Sequence, residues 1–233
     1  MEERYFLRWF FPQRTPESVS LWFARVVKDW FEEASKLGDV QEPLPPMPVQ
    51  EIHLLARGRI DLWLRLAEGR LELGHRVREG EEVKSERDTW TGFLESWGHW
   101  RWRSSDLPAA SIAAAFQATL RDRLPLARTR REVKYEILPS GRLTAIPLGP
   151  TESSTVTMSL DSLVLMEKAD WWSLELDFST PKVTPIMVEQ LVRLYGGPKL
   201  RKESSIGTPK WLSLVYPTVN AGAQTTTMRR RDG

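Results

Sequence analysis

The chain has 233 residues, of which 41% are hydrophobic and 27% are charged, and this balance excludes an intrinsically disordered chain. The net charge of +2 does not favour nucleic acid as a partner, and the absence of cysteine excludes disulfide bonds. Because no apolar run approaches the roughly 20 residues of a membrane-spanning helix and the N-terminal residues lack a signal-peptide pattern, we expect a cytoplasmic protein without a membrane partner.

The first part of the chain predicts one strand and one long helix. Residues 4–11 alternate aromatic residues with arginine, which is typical of a strand with two different faces. Thr15 and Pro16 predict a helix start, and apolar residues recur at helical spacing through 19–34. The proline-rich residues 43–48 predict an irregular connector.

The middle of the chain predicts a group of short strands. Apolar and charged residues alternate through 59–66 and, after a turn at 67–69, through 70–78. Residues 79–89 are dense in charge and predict an exposed loop, and residues 93–103 alternate again. Grouped strands of this kind indicate an antiparallel sheet.

The remaining elements complete the pattern of an α+β protein. An alanine-rich helix is predicted over 108–123, strands over 130–138, 155–165 and 171–178, and a further helix from Thr184. With eight or so strands, such a sheet tends to close, so we expect a curled antiparallel sheet or tunnel-like barrel with flanking helices.

The domain prediction is one α+β domain over residues 1–198, followed by a C-terminal extension over 199–233. We expect the extension to be partly disordered, because it is polar and lacks periodicity apart from the apolar residues 211–216.

Nearly every predicted strand has one face with charges of both signs. The basic members of these faces are Arg4, Arg8, Arg59, Arg65, Arg70, Arg76, Arg101, Arg103, Arg130 and Lys134. The acidic members are Asp61, Glu72, Glu95, Glu132, Glu136, Glu175 and Asp177. Inside a barrel, the arginines would bind phosphate oxygens, and carboxylates two residues apart on one strand would hold Mg²⁺ or Mn²⁺. The same alternation is typical of a sheet with one face in water.

Several segments resemble those of a known family, and the likeness lies in the order in which they follow one another along the chain. They are LRWFF at 7–11 with SLWF at 20–23, LWLRLAEGRLELGHR at 62–76, FLESWGHWRWRS at 93–104, REVKY at 131–135 and DWWSLELDF at 170–178. Together they resemble a poorly characterised bacterial branch of the CYTH-like, or triphosphate-tunnel, superfamily. The resemblance spans about residues 4–195.

This resemblance implies a barrel whose inward polar faces suit polyphosphates or phosphorylated organic ligands such as nucleotides. Characterised members hydrolyse triphosphates, cyclise ATP or cleave thiamine triphosphate, with Mg²⁺ or Mn²⁺ held by glutamates. The resemblance implies phosphate contacts at the matching positions Arg65, Arg76, Arg130 and Lys134. We add Arg101, which belongs to the same set of charged strand faces. The carboxylates expected at a metal are Glu72, Glu175 and Asp177.

The chain departs from the family pattern at metal and phosphate positions. Residues 2–8 keep neither the acid spacing nor the lysine of the N-terminal ExExK signature. Met158 or Ser159 stands near a usual glutamate. Lysines of the related strands are replaced by Trp63, Gly74 and His99. A tunnel with these losses can keep its fold without catalysis, so no catalytic residue is assigned.

Three hypotheses about function remain open. One is a metal-dependent phosphohydrolase of a small triphosphate, and another is a non-catalytic ligand-binding or protein-interaction module on the same scaffold. A third, a pocket for an apolar or aromatic ligand, requires the Trp63–Trp97 side of the barrel to be hollow. The histidines lack the spacing of a zinc site and are expected to be surface or satisfied sheet residues: His53, His75 and His99.

Overall fold

Nine strands and three helices are found in a computed structural model, which describes residues 2–38, 40, 45–54, 60–68, 70–103, 123–166 and 169–216. The strands are β1 (Glu2–Pro12), β2 (Val49–Leu54), β3 (Leu62–Ala67), β4 (Arg70–Lys84), β5 (Thr91–Arg103), β6 (Arg123–Ile137), β7 (Leu143–Ile146), β8 (Thr155–Leu165) and β9 (Ala169–Phe178). The helices are α1 (Glu17–Ala34), α2 (Pro185–Leu191) and α3 (208–216). Within these residues no helix is long and apolar enough to cross a membrane.

The strands form a closed antiparallel barrel. Eight of them follow the order β2-β3-β4-β5-β1-β9-β8-β6, and β6 pairs back onto β2, so the sheet has no open seam. The short strand β7 pairs with residues 134–137 of β6, beyond the residues of β6 that pair with β2. The predicted α+β architecture with a tunnel-like barrel is therefore confirmed.

The main hydrophobic core lies between the outer face of the barrel and α1. Alternate residues of β1, such as Leu7 and Trp9, point outward and are fully buried in the same apolar cluster as Phe23 and Trp30 of α1. Burial of each such side chain stabilises the fold by about 1.5–3 kcal/mol. The intervening residues of β1 point inward, so the two faces of one strand serve different purposes.

A second cluster closes one end of the barrel, and we call it the apolar plug. Its buried members are Phe10, Leu124, Leu126, Leu163, Leu165, Trp211, Leu212 and Val215. The indole of Trp211 in α3 stacks on Phe10 with ring centroids 4.3 Å apart and meets Trp171 edge-on at 5.7 Å. Residues 200–216, which the sequence pattern assigned to the extension, therefore pack against the barrel.

Two local predictions from the sequence are wrong. Residues 79–84 are not a loop, because β4 continues through them and, after a shift in register, residues 81–84 pair with residues 91–94 of β5. Val83 packs against the core, and Glu81, Glu82 and Lys84 are exposed. Thr15 does not cap α1, since Pro16 occupies the cap position and the Thr15 hydroxyl lies 3.0 Å from that of Ser162.

Of the remaining local predictions, the helix start at Thr184 is confirmed and the helix over 108–123 is not tested. Thr184 does cap α2, where its side chain accepts a hydrogen bond from the backbone N–H of Met187. Strand β7 was not predicted. The helix predicted over 108–123 lies outside the described residues, except that Arg123 begins β6.

Replacement of Trp211 by alanine tests whether α3 is part of the fold. We expect Trp211→Ala to lower the free energy of unfolding by about 3–5 kcal/mol, because it leaves a cavity against Phe10. Leu214→Ala is the matched control on the same helix, since Leu214 is 59% exposed and its loss should change stability by less than about 0.5 kcal/mol. Equal urea midpoints for both variants would contradict the packing of α3.

Candidate functional site

A cavity of about 180 Å³ lies inside the barrel and is lined by arginines from four strands. These six residues are Arg4 and Arg8 of β1, Arg65 of β3, Arg101 of β5, and Arg128 and Arg130 of β6. They converge because inward-pointing side chains recur every second residue along each strand. We call this space the arginine cavity.

Three of these arginines form close pairs with acids on β8 and β9. The guanidinium of Arg4 donates from Nε and Nη2 to the two carboxylate oxygens of Asp177, at 2.9 and 2.7 Å. Arg130 forms the same fork on Asp161, with both distances 2.8 Å. Arg8 pairs with Glu175. Such two-point pairs hold the guanidinium planes in fixed orientations.

The other three arginines share two glutamates. The Arg65 guanidinium lies between Glu72, 3.1 Å from Nε, and Glu51, 3.1 Å from Nη1. Arg101 reaches Glu72 at 3.1 Å, and Arg128 reaches Glu51 at 3.3 Å. Each glutamate therefore joins neighbouring strands through two guanidinium groups.

The carboxylate partners of the six arginines are also six in number, and we call them the interior acids. They are Glu2, Glu51, Glu72, Asp161, Glu175 and Asp177. The arginines and their partners thus carry equal and opposite charge. The cavity wall offers many hydrogen-bond donors without a net positive charge from this set.

Most of the interior acids whose ionisation is perturbed are held in the charged form. Burial raises the pKa of Glu175, but the guanidinium groups of Arg8 and Arg130 outweigh burial and lower it to about 2. The pKa of Glu51 is held well below its usual range by Arg128 against the same burial effect. Asp177 differs, because burial raises its pKa although Arg4 opposes that shift.

An aromatic surface lies beside the arginines. His99 stacks on Phe6 with ring centroids 5.5 Å apart and meets Trp63 edge-on at 5.3 Å. Arg65 lies over the Trp63 ring at 5.5 Å. Gly74 makes this possible, because a Cβ there would overlap the Trp63 indole. The absence of a side chain at Gly74 and the position of the Trp63 indole therefore depend on each other.

The predicted phosphate contacts are divided by the structure. Three of them line the arginine cavity: Arg65, Arg101 and Arg130. Arg76 is not among the cavity-lining residues, and its guanidinium lies 3.5 Å from Glu95. Lys134 is also outside the lining set and donates to the carbonyl of Gly149.

The predicted metal ligands all pair with arginines. Glu175 and Asp177 line the cavity, while Glu72 lies behind the arginines that it binds. Each of the three carboxylates is engaged by at least one guanidinium, and the described part of the chain holds no group of three acidic or histidine side chains placed to bind a metal. The metal stays a prediction, and no chemical step is derived through it.

Some cavity residues were missed by sequence reasoning. Arg128 lies two residues before Arg130 on the same strand face, so an earlier start for the strand predicted at 130–138 would have found it. His53 shares an inward face with Glu51, a pairing visible as Glu-x-His in a strand. Thr208 has no such signal, because it comes from α3 and meets Arg8 only in the folded barrel.

On the Trp63–Trp97 side of the barrel, Trp97 is enclosed, whereas Trp63 lines the arginine cavity. Trp97 is 3% exposed, and its indole N–H donates to Glu95 at 3.1 Å. Trp63 occupies the space over Gly74. These contacts do not favour a purely apolar ligand pocket on that side.

Replacement of Gly74 by alanine tests the position of Trp63. We expect Gly74→Ala to destabilise the fold by about 1–3 kcal/mol, because the added methyl group displaces the indole. Gly196→Ala is the control, since nothing lies within 4 Å of its Cβ and the substitution should be neutral or slightly stabilising. A Gly74→Ala variant with unchanged denaturation midpoint would mean that the indole lies elsewhere.

Acid should destabilise the barrel through the interior acids. The pKa of Glu175 is about 2 in the folded protein, and those of Glu51 and Glu72 are also lowered by their arginines against burial. A lowered pKa gives stability that is present above the unfolded value of about 4.3 and is lost as the pH falls toward the folded value. Denaturant unfolding from pH 7 to pH 2 should therefore show stability falling below about pH 4.5.

Glu175→Gln is the variant that separates this effect from general acid denaturation. At pH 7 it should be about 3–5 kcal/mol less stable, because it leaves Arg8 without its buried acidic partner and removes one of the two acids that contact Arg130. Its stability should also fall less steeply below about pH 4.5. An unchanged slope would show that Glu175 does not contribute to the acid transition.

Comparison with known proteins provides a fold neighbour and no family. No protein-family profile matches the chain, and no curated protein matches it. Among solved structures, the PH1819 protein from Pyrococcus horikoshii OT3 is similar over 84% of this chain and 92% of its own, with 10% sequence identity and a TM-score of 0.29. At this similarity no inference about ligand or activity rests on it, and the barrel is established by its own strand pairing.

Proposed function

We propose that the protein binds a phosphorylated small molecule, a polyphosphate or nucleotide, in the arginine cavity. The observation that carries the proposal is the convergence of six guanidinium groups from four strands on one cavity. Guanidinium forks match the geometry of phosphate oxygens, and their fixed planes reduce the ordering needed on binding. The aromatic surface at Phe6, Trp63 and His99 offers a planar contact for a ring attached to the phosphates.

Binding of a phosphate in this cavity would change the partners of the arginines. Because the arginines already pair with the interior acids, a phosphate must replace carboxylate oxygens at the guanidinium groups. Arg101 is the most accessible, with 62% of its side chain exposed, and its partner Glu72 keeps Arg65 when Arg101 turns to a ligand. We therefore expect Arg101 to make the first contact with an entering phosphate.

The balanced charge favours binding over metal-dependent hydrolysis. A metal-assisted phosphohydrolase needs carboxylates free to hold the cation, whereas the predicted ligands Glu72, Glu175 and Asp177 are engaged by arginines. Metal-dependent hydrolysis by Mg²⁺ or Mn²⁺ stays a hypothesis for separate test. For a role as a protein-interaction module, we find no surface among the described residues that supports it as directly as the arginine cavity supports ligand binding.

Titration calorimetry with sodium tripolyphosphate tests the proposal. We expect saturable binding that weakens with added salt, because charge-assisted contacts are screened. Arg101→Ala should weaken the affinity about tenfold or more, which corresponds to loss of one charge-assisted hydrogen bond. Arg14→Ala is the matched control, since Arg14 also pairs with one carboxylate, that of Asp170, but lies outside the cavity lining.

The outcomes discriminate between the hypotheses. Absence of binding to tripolyphosphate, ATP and diphosphate would overturn the proposal. Equal losses in Arg101→Ala and Arg14→Ala would place any binding outside the arginine cavity. The same titrations with Mn²⁺ test the metal, and an affinity gain that disappears in Asp177→Asn would support a cation held at that carboxylate.

A further inference from the structure

We propose that His99 is a further ligand contact in the arginine cavity and takes up a proton when a phosphate binds there, so that binding strengthens as the pH falls. This inference rests on the proposed function and adds the regulation of that site by pH. The proton comes from the solvent and returns to it when the ligand leaves. No bond of the ligand is broken.

The position of His99 follows from the alternation of β5. His99 and Arg101 lie two residues apart, so both side chains point into the barrel, and both line the arginine cavity. Contacts with the rings of Phe6 and Trp63, at centroid distances of 5.5 and 5.3 Å, orient the imidazole. The side chain of His99 is half-buried, so it borders the cavity beside the most exposed of the cavity arginines.

The ring nitrogens of His99 are available to a ligand. Within the described ranges of the chain, His99 has ring contacts but neither a hydrogen bond nor an ion pair. A neutral imidazole has one N–H donor and one nitrogen with a free lone pair, and protonation makes both nitrogens donors. A phosphate at Arg101 can therefore accept a hydrogen bond from His99 in either state, and the charged state offers the stronger bond.

The charge balance of the cavity explains why a titratable group suits this position. The arginines and the interior acids already compensate each other, so a further permanent cation would have no acid of its own in the empty cavity. A neutral imidazole avoids that cost. A bound phosphate brings several negative charges, and an imidazolium at His99 compensates part of them without displacing a carboxylate.

Charged groups of the surrounding strands set the state of His99 in the empty cavity. They are Glu2 and Arg8 of β1, Arg65 of β3, Glu72 of β4, Arg101 of β5 and Glu175 of β9. Burial, with Arg101 and Arg8, lowers the pKa of His99 to about 4, although Glu72 and Glu175 oppose this shift. The ring is therefore neutral at pH 7 before a ligand binds.

A phosphate near Arg101 changes this balance toward the charged ring. Negative charge beside an imidazole raises its pKa, and a ligand that raises the pKa binds the protonated protein more tightly, because the two equilibria are linked. The gain in affinity is complete below the pKa of about 4 in the free protein. It is lost as the pH rises through the higher pKa of the complex, so affinity should fall from pH 5 toward pH 8.

Titration calorimetry with sodium tripolyphosphate at several pH values from 8 to 5 tests the inference. We expect the wild-type affinity, divided by that of His99→Gln at the same pH, to rise about tenfold over this range, which corresponds to a coupling of about 1.4 kcal/mol between proton and ligand. The ratio is needed because the ligand also gains protons in this range. EDTA in every buffer removes divalent cations that would compensate the phosphate charge instead.

His75→Gln is the matched control for this titration. The His75 side chain is 46% exposed, lies 3.7 Å from Asp61 and is outside the cavity lining. The ratio of the wild-type affinity to that of His75→Gln should therefore stay constant from pH 8 to pH 5.

The outcomes separate this inference from the binding proposal. Binding with a constant ratio of wild type to His99→Gln overturns the proton uptake at His99 and leaves the binding function standing. An equal rise in the ratio for His75→Gln also overturns it, because the effect would then not belong to the cavity. Absence of binding at every pH overturns both proposals together.

A measurement on the wild type covers the case in which His99→Gln fails to fold. A long-range ¹H–¹⁵N spectrum follows each of the three histidines, and contacts with the Trp63 ring identify His99. We expect His99 to stay largely neutral down to pH 5 in the free protein and to gain its proton between pH 8 and pH 5 in the tripolyphosphate complex. A His99 titration that is the same with and without saturating tripolyphosphate would overturn the inference.

Discussion

Charge pairing inside the barrel is the interaction on which the structure depends. A guanidinium buried without a partner costs several kcal/mol, so a barrel with inward arginines must bring an acid to each of them. Strand register supplies those acids: Arg8 lies opposite Glu175, and Arg130 lies opposite Asp161. The same pairs that lower the cost of burying these charges also fix the guanidinium orientations in the arginine cavity.

The two faces of the sheet have different roles: the outer face is apolar and buried, and the inner face is charged. The outer face, with Leu7 and Trp9, contributes to an apolar cluster that also includes residues of α1, so stability does not depend on the interior being apolar. The plug around Trp211 adds apolar burial and closes one end. The interior can therefore be lined by charged and polar side chains while the outer face and the plug stabilise the protein.

Much of the fold follows from sequence patterns that act over short distances. Period-2 alternation predicted that Arg4, Arg8, Glu175 and Asp177 share one kind of face, and they do. Helical spacing predicted the buried stripe of α1. The patterns failed where pairing with a distant segment decided the outcome, as in residues 79–84, which are a strand because β5 offers partners up to Thr91.

By itself the sequence determined the α+β architecture and the charged face of each strand, because alternation and helical period are local properties of the chain. Alternation left open whether these faces point inward or into water, and the inward orientation was an expectation from the family resemblance. Tertiary structure decided which charges meet. The closure of β6 onto β2 brings Arg128 to Glu51 and His53, and α3 brings Thr208 to Arg8 across the whole length of the chain. Such contacts depend on the closure and register of the barrel, which local alternation does not encode.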